Sequence, residues 1–248
     1  MTGSKVIKPQ LDKAAPDSRP ASPGTILIFQ EPISYSVGWQ LQSRLHKQRV
    51  LDHRQDTVLI LEHQPVFTLG RSAQTTHWGG NEDVLRANGT ELHYVNRGGS
   101  VTYHGPGQIV LYPILKLVHH ATGPRQLVWL LEEIIIRVLK SRMIDGHRID
   151  KKPGVWIMVP EPAKIASVGI RVEHGVTLHG CALNVDMDLT PFQRISPCGF
   201  TDCRVTSMSQ LLNTSLSLGI VKEEIARTLA EVFSATWSID TERAYAGT

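Results

Sequence analysis

Apolar residues along this 248-residue chain recur at two spacings, one typical of helices and one typical of strands. Recurrence at helical spacing predicts a helix over residues 34–53, in which Val37, Leu41 and Leu45 share one face. Pro124 suits the first turn of a second helix that runs to about residue 143. A third amphipathic helix is predicted over residues 222–237. Shorter apolar or alternating runs fill most of the remaining chain.

These shorter runs predict strands, because they are rich in apolar residues and bounded by turn residues. They lie at 25–30, 57–61, 65–69, 92–96, 109–115, around Arg148, and at 155–159, 165–172 and 176–185. Asn81 is expected to cap a short helix over 82–87, and 196–204 is expected to be loop. Strands and helices do not alternate strictly, and several adjacent runs resemble hairpins. We therefore predict an α+β fold, a mixed β-sheet flanked by helices.

The chain is predicted to form one domain over residues 25–240. The preceding residues 1–24 contain four prolines among mixed charges and no apolar core, so we expect a disordered leader there. That leader is not rich in arginine and is not amphipathic. Because a mitochondrial transit peptide has both properties, the sequence favours a cytoplasmic location. A mitochondrial location would apply only to a protein of eukaryotic source.

Composition narrows the classes of partner. A net charge of +3 and a pI of 8.8, without a basic cluster among aromatics, argue against nucleic acid. No apolar run approaches the roughly 18 to 20 residues that a membrane span needs. Three cysteines do not make a disulfide framework, which favours a reducing compartment.

The segment Arg97–Gln108 carries the densest chemical signal. It holds four glycines and one proline in twelve residues, and we therefore expect it not to be a regular strand interior. The glycines let the backbone of this segment approach a ligand closely. Polar groups that could hold a carbonyl or a phosphate of that ligand come from Arg97, Thr102, Tyr103 and His104. The alternative is a glycine-rich hairpin loop without function. Neither a Walker loop nor a dinucleotide-binding spacing occurs in it.

Three further segments could carry chemistry, and each has a structural alternative. Lys164–Arg171 is a small-residue strand whose lysine would ordinarily be exposed. His179–Asn184 suggests a strand lining a cavity, although a histidine there is more often structural. Cys198 lies between Pro197 and Gly199 on a rigid loop, which favours a reactive thiol over a buried structural one.

Cys198 follows Lys164 by 34 positions (198 − 164). A thiol reacts as its thiolate, and with an ordinary pKa near 8.5 only about 3% is ionised at pH 7. A neighbouring ammonium would raise that fraction, and the lysine, once neutral, could carry protons. We therefore predict that these two side chains meet, which the sequence by itself does not show.

Two other kinds of site use the same residue types. His179, Cys181, Cys198 and Cys203 offer four potential zinc ligands, but their spacing differs from finger and ribbon patterns. A Cys–His protease is conceivable with 11 histidines, yet the local signatures around papain-type and caspase-type cysteines are absent. Neither pattern is a good match.

Taken in order, the stretches RGGSVTYHGPGQ, KIASVGIRV, HGCALNV and ISPCG resemble the lipoyl(octanoyl) transferases, octanoyl-[acyl-carrier-protein]:protein N-octanoyltransferases of the biotin/lipoate protein ligase superfamily. The resemblance extends from about Ile26 to Leu212. It implies the biotin/lipoate protein ligase-like catalytic domain, an α+β structure. Cys181 departs from the family, which more often has a larger apolar residue there, and could alter the width of the acyl pocket.

The resemblance also implies roles for residues. Cys198 would be the catalytic nucleophile and Lys164 the partner that lowers its pKa. Independently of the resemblance, the imidazoles of His179 and His104 make them secondary candidates for proton handling, ranked below Lys164. Substrate contacts would come from Arg97, Gly98, Gly99, Ser100, Val101, Thr102, Tyr103, His104, Ser167, Val168, Gly169, Gly180, Cys181 and Ala182. No metal and no cofactor are implied.

The implied activity is transfer of an octanoyl group from octanoyl-acyl carrier protein to a lysine amine, the first step of protein lipoylation in lipoate biosynthesis. The acceptors would be lipoyl domains of 2-oxoacid dehydrogenase complexes and the glycine cleavage H protein. Two alternatives stay open: an ATP-dependent lipoate or biotin ligase of the same fold, and a non-catalytic binder of acyl-carrier or lipoyl domains.

Overall fold

The computed structural model describes residues 23–196 and 203–242. Its strands, in chain order β1 to β12, are Gly24–Phe29, Asp56–Leu61, Val66–Leu69, Glu91–Tyr94, Val101–His104, Gln108–Ile114, His147–Ile149, Lys152–Val159, Glu161–Glu173, Val176–Asn184, Arg204–Val205 and Trp237–Glu242. The α-helices α1 to α5 are Tyr35–Val50, Glu82–Arg86, Pro124–Lys140, Met208–Leu212 and Leu218–Val232. The predicted leader lies almost wholly outside the described residues.

The described strands form two sheets. The large one has nine strands in the order β12-β1-β2-β6-β10-β9-β8-β7, with β11 paired to β9. β1 runs parallel to both β2 and β12, whereas β2, β6, β10, β9 and β8 are joined by antiparallel pairs. The small sheet has the order β4-β3-β5. The predicted α+β fold with a mixed sheet flanked by helices is confirmed.

Side chains of the large sheet point alternately to its two faces, as the twofold period of a strand requires. Ile26, Val58 and Leu111 belong to the core that α3 and α5 cover, and all three are completely buried. Leu59 and Val110, one position along in the same strands, pack instead in the core that includes Leu41 and Leu45 of α1. The sheet is therefore covered on both faces.

A buried ion pair joins α5 to the strands. Lys222 Nζ donates to Glu62 Oε1 at 2.8 Å and to the Phe29 carbonyl at 2.8 Å. The other carboxylate oxygen of Glu62 accepts the Gly107 N–H at 2.8 Å. Because each polar atom has a partner, the pair is tolerated in the core and fixes Gly107 beside the sheet.

Two predictions about elements are wrong. Val101–His104, in the middle of the glycine-rich segment, forms a regular strand of the small sheet. A strand is possible there because the four glycines of the segment lie before Val101 and after His104. The last helix ends at Val232, and Trp237 begins a strand that pairs with β1. The Trp237 ring is tilted against those of Phe233 and His120, with ring centroids 6.2 and 6.1 Å away, and its backbone is held in the strand by pairing with Gly24.

No helix within residues 23–196 and 203–242 has the length and apolar character needed to cross a bilayer.

Candidate active site

A cavity lies where β9 and β10 face the glycine-rich segment and the start of α1. The residues lining it come from every predicted segment within the described chain. They are Tyr35, Thr68, Arg97, Gly99, Ser100, Val101, Thr102, His104, Val110, Tyr112, Lys164, Ser167, Val168, Gly169, His179, Gly180, Cys181 and Ala182.

Two of the predicted contact residues do not line this cavity. The Tyr103 ring points to the opposite side of its strand and packs against Phe67 and Phe192, at 5.1 and 5.7 Å between ring centroids. Gly98 instead donates its N–H to the Ile170 carbonyl at 3.1 Å and so ties the glycine-rich segment to β9. Both residues support the wall.

Glycine is required at two points of the wall because backbones approach closely there. A Cβ on Gly169 would lie 2.6 Å from the Gly98 carbonyl oxygen, and one on Gly180 would lie 1.9 Å from the Leu111 carbonyl oxygen. Neither distance is compatible with a side chain. The small residues of both motifs therefore bring β9 against the glycine-rich segment and β10 against β6.

Lys164 is buried in the cavity wall, with 2% of its surface exposed. The alternative of an ordinary exposed lysine at the start of a strand is therefore wrong. Its Nζ donates to the Pro153 carbonyl at 3.1 Å and lies 4.7 Å from the centre of the Trp156 ring. These two contacts hold the amine of Lys164 at the cavity wall.

Arg97 brings a guanidinium to the cavity and shapes its rim. Its Nη2 donates to the carbonyl of Thr68 at 2.7 Å and to the hydroxyl of that residue at 2.9 Å. Its Nη1 donates to the Gly98 carbonyl at 3.1 Å. The guanidinium therefore joins the small sheet to the glycine-rich segment while adding a positive charge to the cavity.

His104 is held in one tautomer by a chain of hydrogen bonds. The Gln108 amide nitrogen donates to Asn184 Oδ1 at 2.9 Å, so Gln108 Oε1 is the acceptor facing His104 Nδ1 at 2.7 Å. Nδ1 therefore carries the proton, which leaves Nε2 as an acceptor. Burial lowers the pKa of His104 to about 3, with nearby His63 acting in the same direction. The ring is neutral at physiological pH.

His179 is also held by its surroundings. Its ring stacks on Trp39 at 5.3 Å, and its Nε2 donates to Asn96 Oδ1 at 2.7 Å. Its backbone adopts φ +57°, unusual for a residue with a side chain. Burial, aided by Arg97, lowers the pKa of His179 to about 3.

Cys181 is the one thiol among the lining residues of the described chain, and it is 3% exposed. Burial raises the pKa of Cys181 to about 12, and the nearby Glu132 adds to that rise. A thiol in this state is protonated at neutral pH and is a poor nucleophile. Cys181 therefore contributes surface to the cavity.

Cys198 lies outside the described residues, but the chain on either side of it is anchored at the cavity. Before it, the Ser196 N–H donates to the His77 carbonyl at 2.6 Å, and His77 Nδ1 accepts the hydroxyl of Ser100 at 2.6 Å. After it, Val205 pairs with Lys164 in β11 and β9. The described chain therefore leaves Ser196 beside one wall of the cavity and resumes before the strand that pairs with Lys164.

Four lining residues were not predicted: Tyr35, Thr68, Val110 and Tyr112. Tyr35 and Tyr112 both contact His63, whose Nε2 accepts the Tyr112 hydroxyl at 2.8 Å. The four residues come from α1, β3 and β6 and share no motif, so only the packing of α1 and the register of β3 and β6 could have pointed to them.

Within residues 23–196 and 203–242, no three His, Cys, Asp or Glu side chains are arranged to hold a metal ion. The zinc alternative would need Cys198, which is not among them.

Comparisons with known proteins agree with this geometry. The sequence profile of the lipoyl protein ligase A/B catalytic domain matches residues 34–230. An octanoyltransferase of Bacteroides fragilis is 40% identical over 83% of this chain and 96% of its own length. One of Thermobifida fusca is 41% identical over 84% of this chain and 88% of its own.

Among solved structures, a bi-partite lipoate protein ligase from Thermoplasma acidophilum superposes with a TM-score of 0.66. The superposition covers 89% of this chain and 88% of the ligase chain. Because only 16% of the aligned residues are identical, this likeness shows the fold alone. The residues matched by the profile include every residue that lines the cavity. The chain therefore belongs to the lipoyl protein ligase A/B catalytic-domain family, among its octanoyltransferases.

Proposed function

We propose that this protein transfers an octanoyl group from an acyl-carrier-protein thioester to the lysine amine of a lipoyl domain, through an acyl-enzyme on Cys198. Relatives about 40% identical to this chain are named octanoyltransferases, which supports octanoyl as the transferred group. The catalytic unit would be the domain over residues 25–240. The donor, the acceptors and the covalent intermediate are those implied by the resemblance of the four motifs to the lipoyl(octanoyl) transferases.

Two exchange steps balance without an energy source. The Cys198 thiolate attacks the thioester carbonyl, the carrier thiolate leaves, and it takes up a proton. The acceptor amine then attacks the new thioester, forms an amide and returns the cysteine thiol. The first step is near thermoneutral and the second is downhill, because an amide is more stable than a thioester. Covalent catalysis of this kind gives ping-pong kinetics.

The buried lysine carries this proposal. Lys164 is fixed at the cavity wall by Pro153 and Trp156, and Val205, seven positions after Cys198 (205 − 198), pairs with it. An ammonium within a few ångströms favours the thiolate, and a lysine that has lost its proton can accept one from the acceptor's ammonium.

Intact-mass analysis after incubation with octanoyl-loaded carrier protein tests the proposal. We expect an octanoyl adduct on Cys198 that disappears when a lipoyl domain is added. Cys198→Ala should abolish both adduct and transfer, while Cys181→Ala and Cys203→Ala should retain most of the activity. An adduct on Cys181 would refute the assignment. Lipoylation by Cys198→Ala with free lipoate and ATP would indicate a ligase instead.

A further inference from the structure

One peptide bond, between Pro153 and Gly154, connects two buried charged side chains. Glu132 Oε1, on α3, accepts the Gly154 N–H at 2.8 Å. Lys164 Nζ, on β9, donates to the Pro153 carbonyl at 3.1 Å. This N–H and this C=O belong to the same planar unit, so the position of one determines the position of the other.

The backbone at this point suits only glycine. Gly154 has φ +121°, and a Cβ there would lie 2.4 Å from the Ala166 carbonyl oxygen and 3.2 Å from Lys164 Cε. The pairing of β8 with β9 shifts register immediately afterwards, between Val155 and Trp156. The irregularity leaves the Gly154 N–H pointing to α3 and away from the strand ladder, where Glu132 receives it.

Glu132 is itself fixed in place. Its side chain is 8% exposed, and its Oε2 accepts from Arg148 Nε at 3.1 Å. Arg148 packs over the Trp129 ring, 4.4 Å from its centre. Burial raises the pKa of Glu132, while the Gly154 amide, Arg148 and Lys164 act in the opposite direction. A carboxylate with two such donors is a rigid acceptor.

We propose that Glu132 is a positioning residue for Lys164, acting through the Pro153–Gly154 peptide. A carboxylate that accepts the N–H polarises the peptide, which makes its carbonyl a stronger acceptor for the ammonium. The same contact sets the direction of that carbonyl, and hence the place of Nζ at the cavity wall. Glu132 is not among the described residues that line the cavity, so we place its action on Lys164 and not on substrate. The importance of Lys164 rests on the proposed function.

Glu133 offers a matched control. It is the next residue of α3, and it also accepts from Arg148, at 2.8 Å. It makes no contact with Gly154, whose N–H goes to Glu132. A change at Glu133 therefore disturbs the same helix and the same arginine while leaving the peptide connection in place.

The test compares Glu132→Gln with Glu133→Gln in octanoyl transfer over a range of pH. Because a displacement of about 1 Å can cost up to about a hundredfold in rate, we expect Glu132→Gln to lower kcat by about tenfold or more. KM should change by less than about twofold, and the pH dependence of kcat should shift. Glu133→Gln should keep the wild-type kcat and pH dependence. Equal effects of the two variants would overturn the proposal.

The Gly154 amide resonance in the NMR spectrum of the whole protein gives a readout that needs no acyl donor. It should titrate with Glu132 in the wild type and in Glu133→Gln, and should move and stop titrating in Glu132→Gln. A wild type that transfers no octanoyl group would refute the proposed function but leave this readout intact. An unmoved resonance in Glu132→Gln would refute the connection itself.

Should Glu132→Gln fail to fold, Glu132→Asp replaces it, because it keeps the charge but is one methylene too short to reach the Gly154 N–H. We then expect a lowered kcat with KM retained. A wild-type kcat in Glu132→Asp would overturn the proposal.

Discussion

Burial decides which side chains of the cavity can react. Cys181 and His104 both line it, yet burial raises the pKa of the first to about 12 and lowers that of the second to about 3. Both are therefore neutral near pH 7, the cysteine as a thiol and the histidine as an acceptor at Nε2. Lys164 is also buried, with its Nζ held by the Pro153 carbonyl and the Trp156 ring. Burial therefore leaves Cys181 a poor nucleophile and His104 an uncharged hydrogen-bonding group.

At this scale we predict that Lys164→Ala raises the pH at which Cys198 is alkylated by iodoacetamide. Removing a cation next to a thiol raises the thiol pKa by about one unit or more. The rate of alkylation is measured against pH in the double background Cys181→Ala and Cys203→Ala, so that one thiol reports. Lys140→Ala, on the exposed face of α3, is the control. Identical profiles for both lysine variants would remove Lys164 from the activating role.

At the scale of the element, local patterns predict well wherever local chemistry decides the structure. Asn81 caps α2, its Oδ1 accepting the Asp83 N–H at 3.0 Å, and Pro124 starts α3, both as predicted. The end of α5 was missed because it depends on the pairing of β12 with β1, a contact between distant parts of the chain.

The candidate site divides in the same way. Residues within the motifs could be predicted, and most of them do line the cavity. Tyr112 could not, because its place depends on which face of β6 meets α1. Glu132 also could not, since its contact with Gly154 needs an irregular pairing of β8 with β9 that no local pattern indicates.

For these elements we predict that Gly169→Ala lowers octanoyl transfer by about tenfold or more, because the new Cβ pushes the Gly98 carbonyl away and moves Arg97 with it. The distance of 2.6 Å to a backbone atom leaves no flexible group to yield. Activity and thermal unfolding are measured together. Gly219→Ala in α5, whose Cβ would meet nothing closer than Ser217 at 3.9 Å, should instead stabilise the protein by about 0.5–1 kcal/mol. Full activity in Gly169→Ala would show that the close approach of β9 to the Gly98 carbonyl is not needed for octanoyl transfer.

Across the whole molecule, buried neutral histidines connect the two sheets and α1. His63 donates from Nδ1 to the Ile33 carbonyl at 3.1 Å and accepts the Tyr112 hydroxyl, while its ring lies 5.9 Å from that of His104. Burial lowers the pKa of His63 to about 4, and those of His104 and His179 to about 3. Protonation of any of them is therefore opposed by the folded structure.

We consequently predict that stability falls steeply below about pH 6.5. The unfolded chain binds protons at these histidines as pH falls through that value, whereas the folded chain does not until about pH 4 or 3. Each such histidine then removes about 1.4 kcal/mol per pH unit from the free energy of unfolding. Urea unfolding at pH 7.5, 6 and 5 measures the slope.

The variant His63→Gln separates this effect from general acid sensitivity. It should reduce the slope of the unfolding free energy against pH by about 1.4 kcal/mol per pH unit, the contribution of one histidine. This holds even if the variant is less stable at neutral pH. His53→Gln, at an exposed position, should leave the slope unchanged. Equal slopes in the wild type and both variants would show that His63 does not contribute.

The parallel pairing of Gly24–Phe29 with Trp237–Glu242 has a consequence during synthesis on the ribosome. The two strands are 213 residues apart (237 − 24), so the first emerges long before its outer neighbour exists. Until then, one edge of a nascent sheet presents unpaired backbone groups, the feature through which growing chains aggregate. Pairing with the last described strand therefore covers the outer side of Gly24–Phe29, and a nascent chain that stalls before Trp237 leaves those backbone groups open to neighbouring polypeptides.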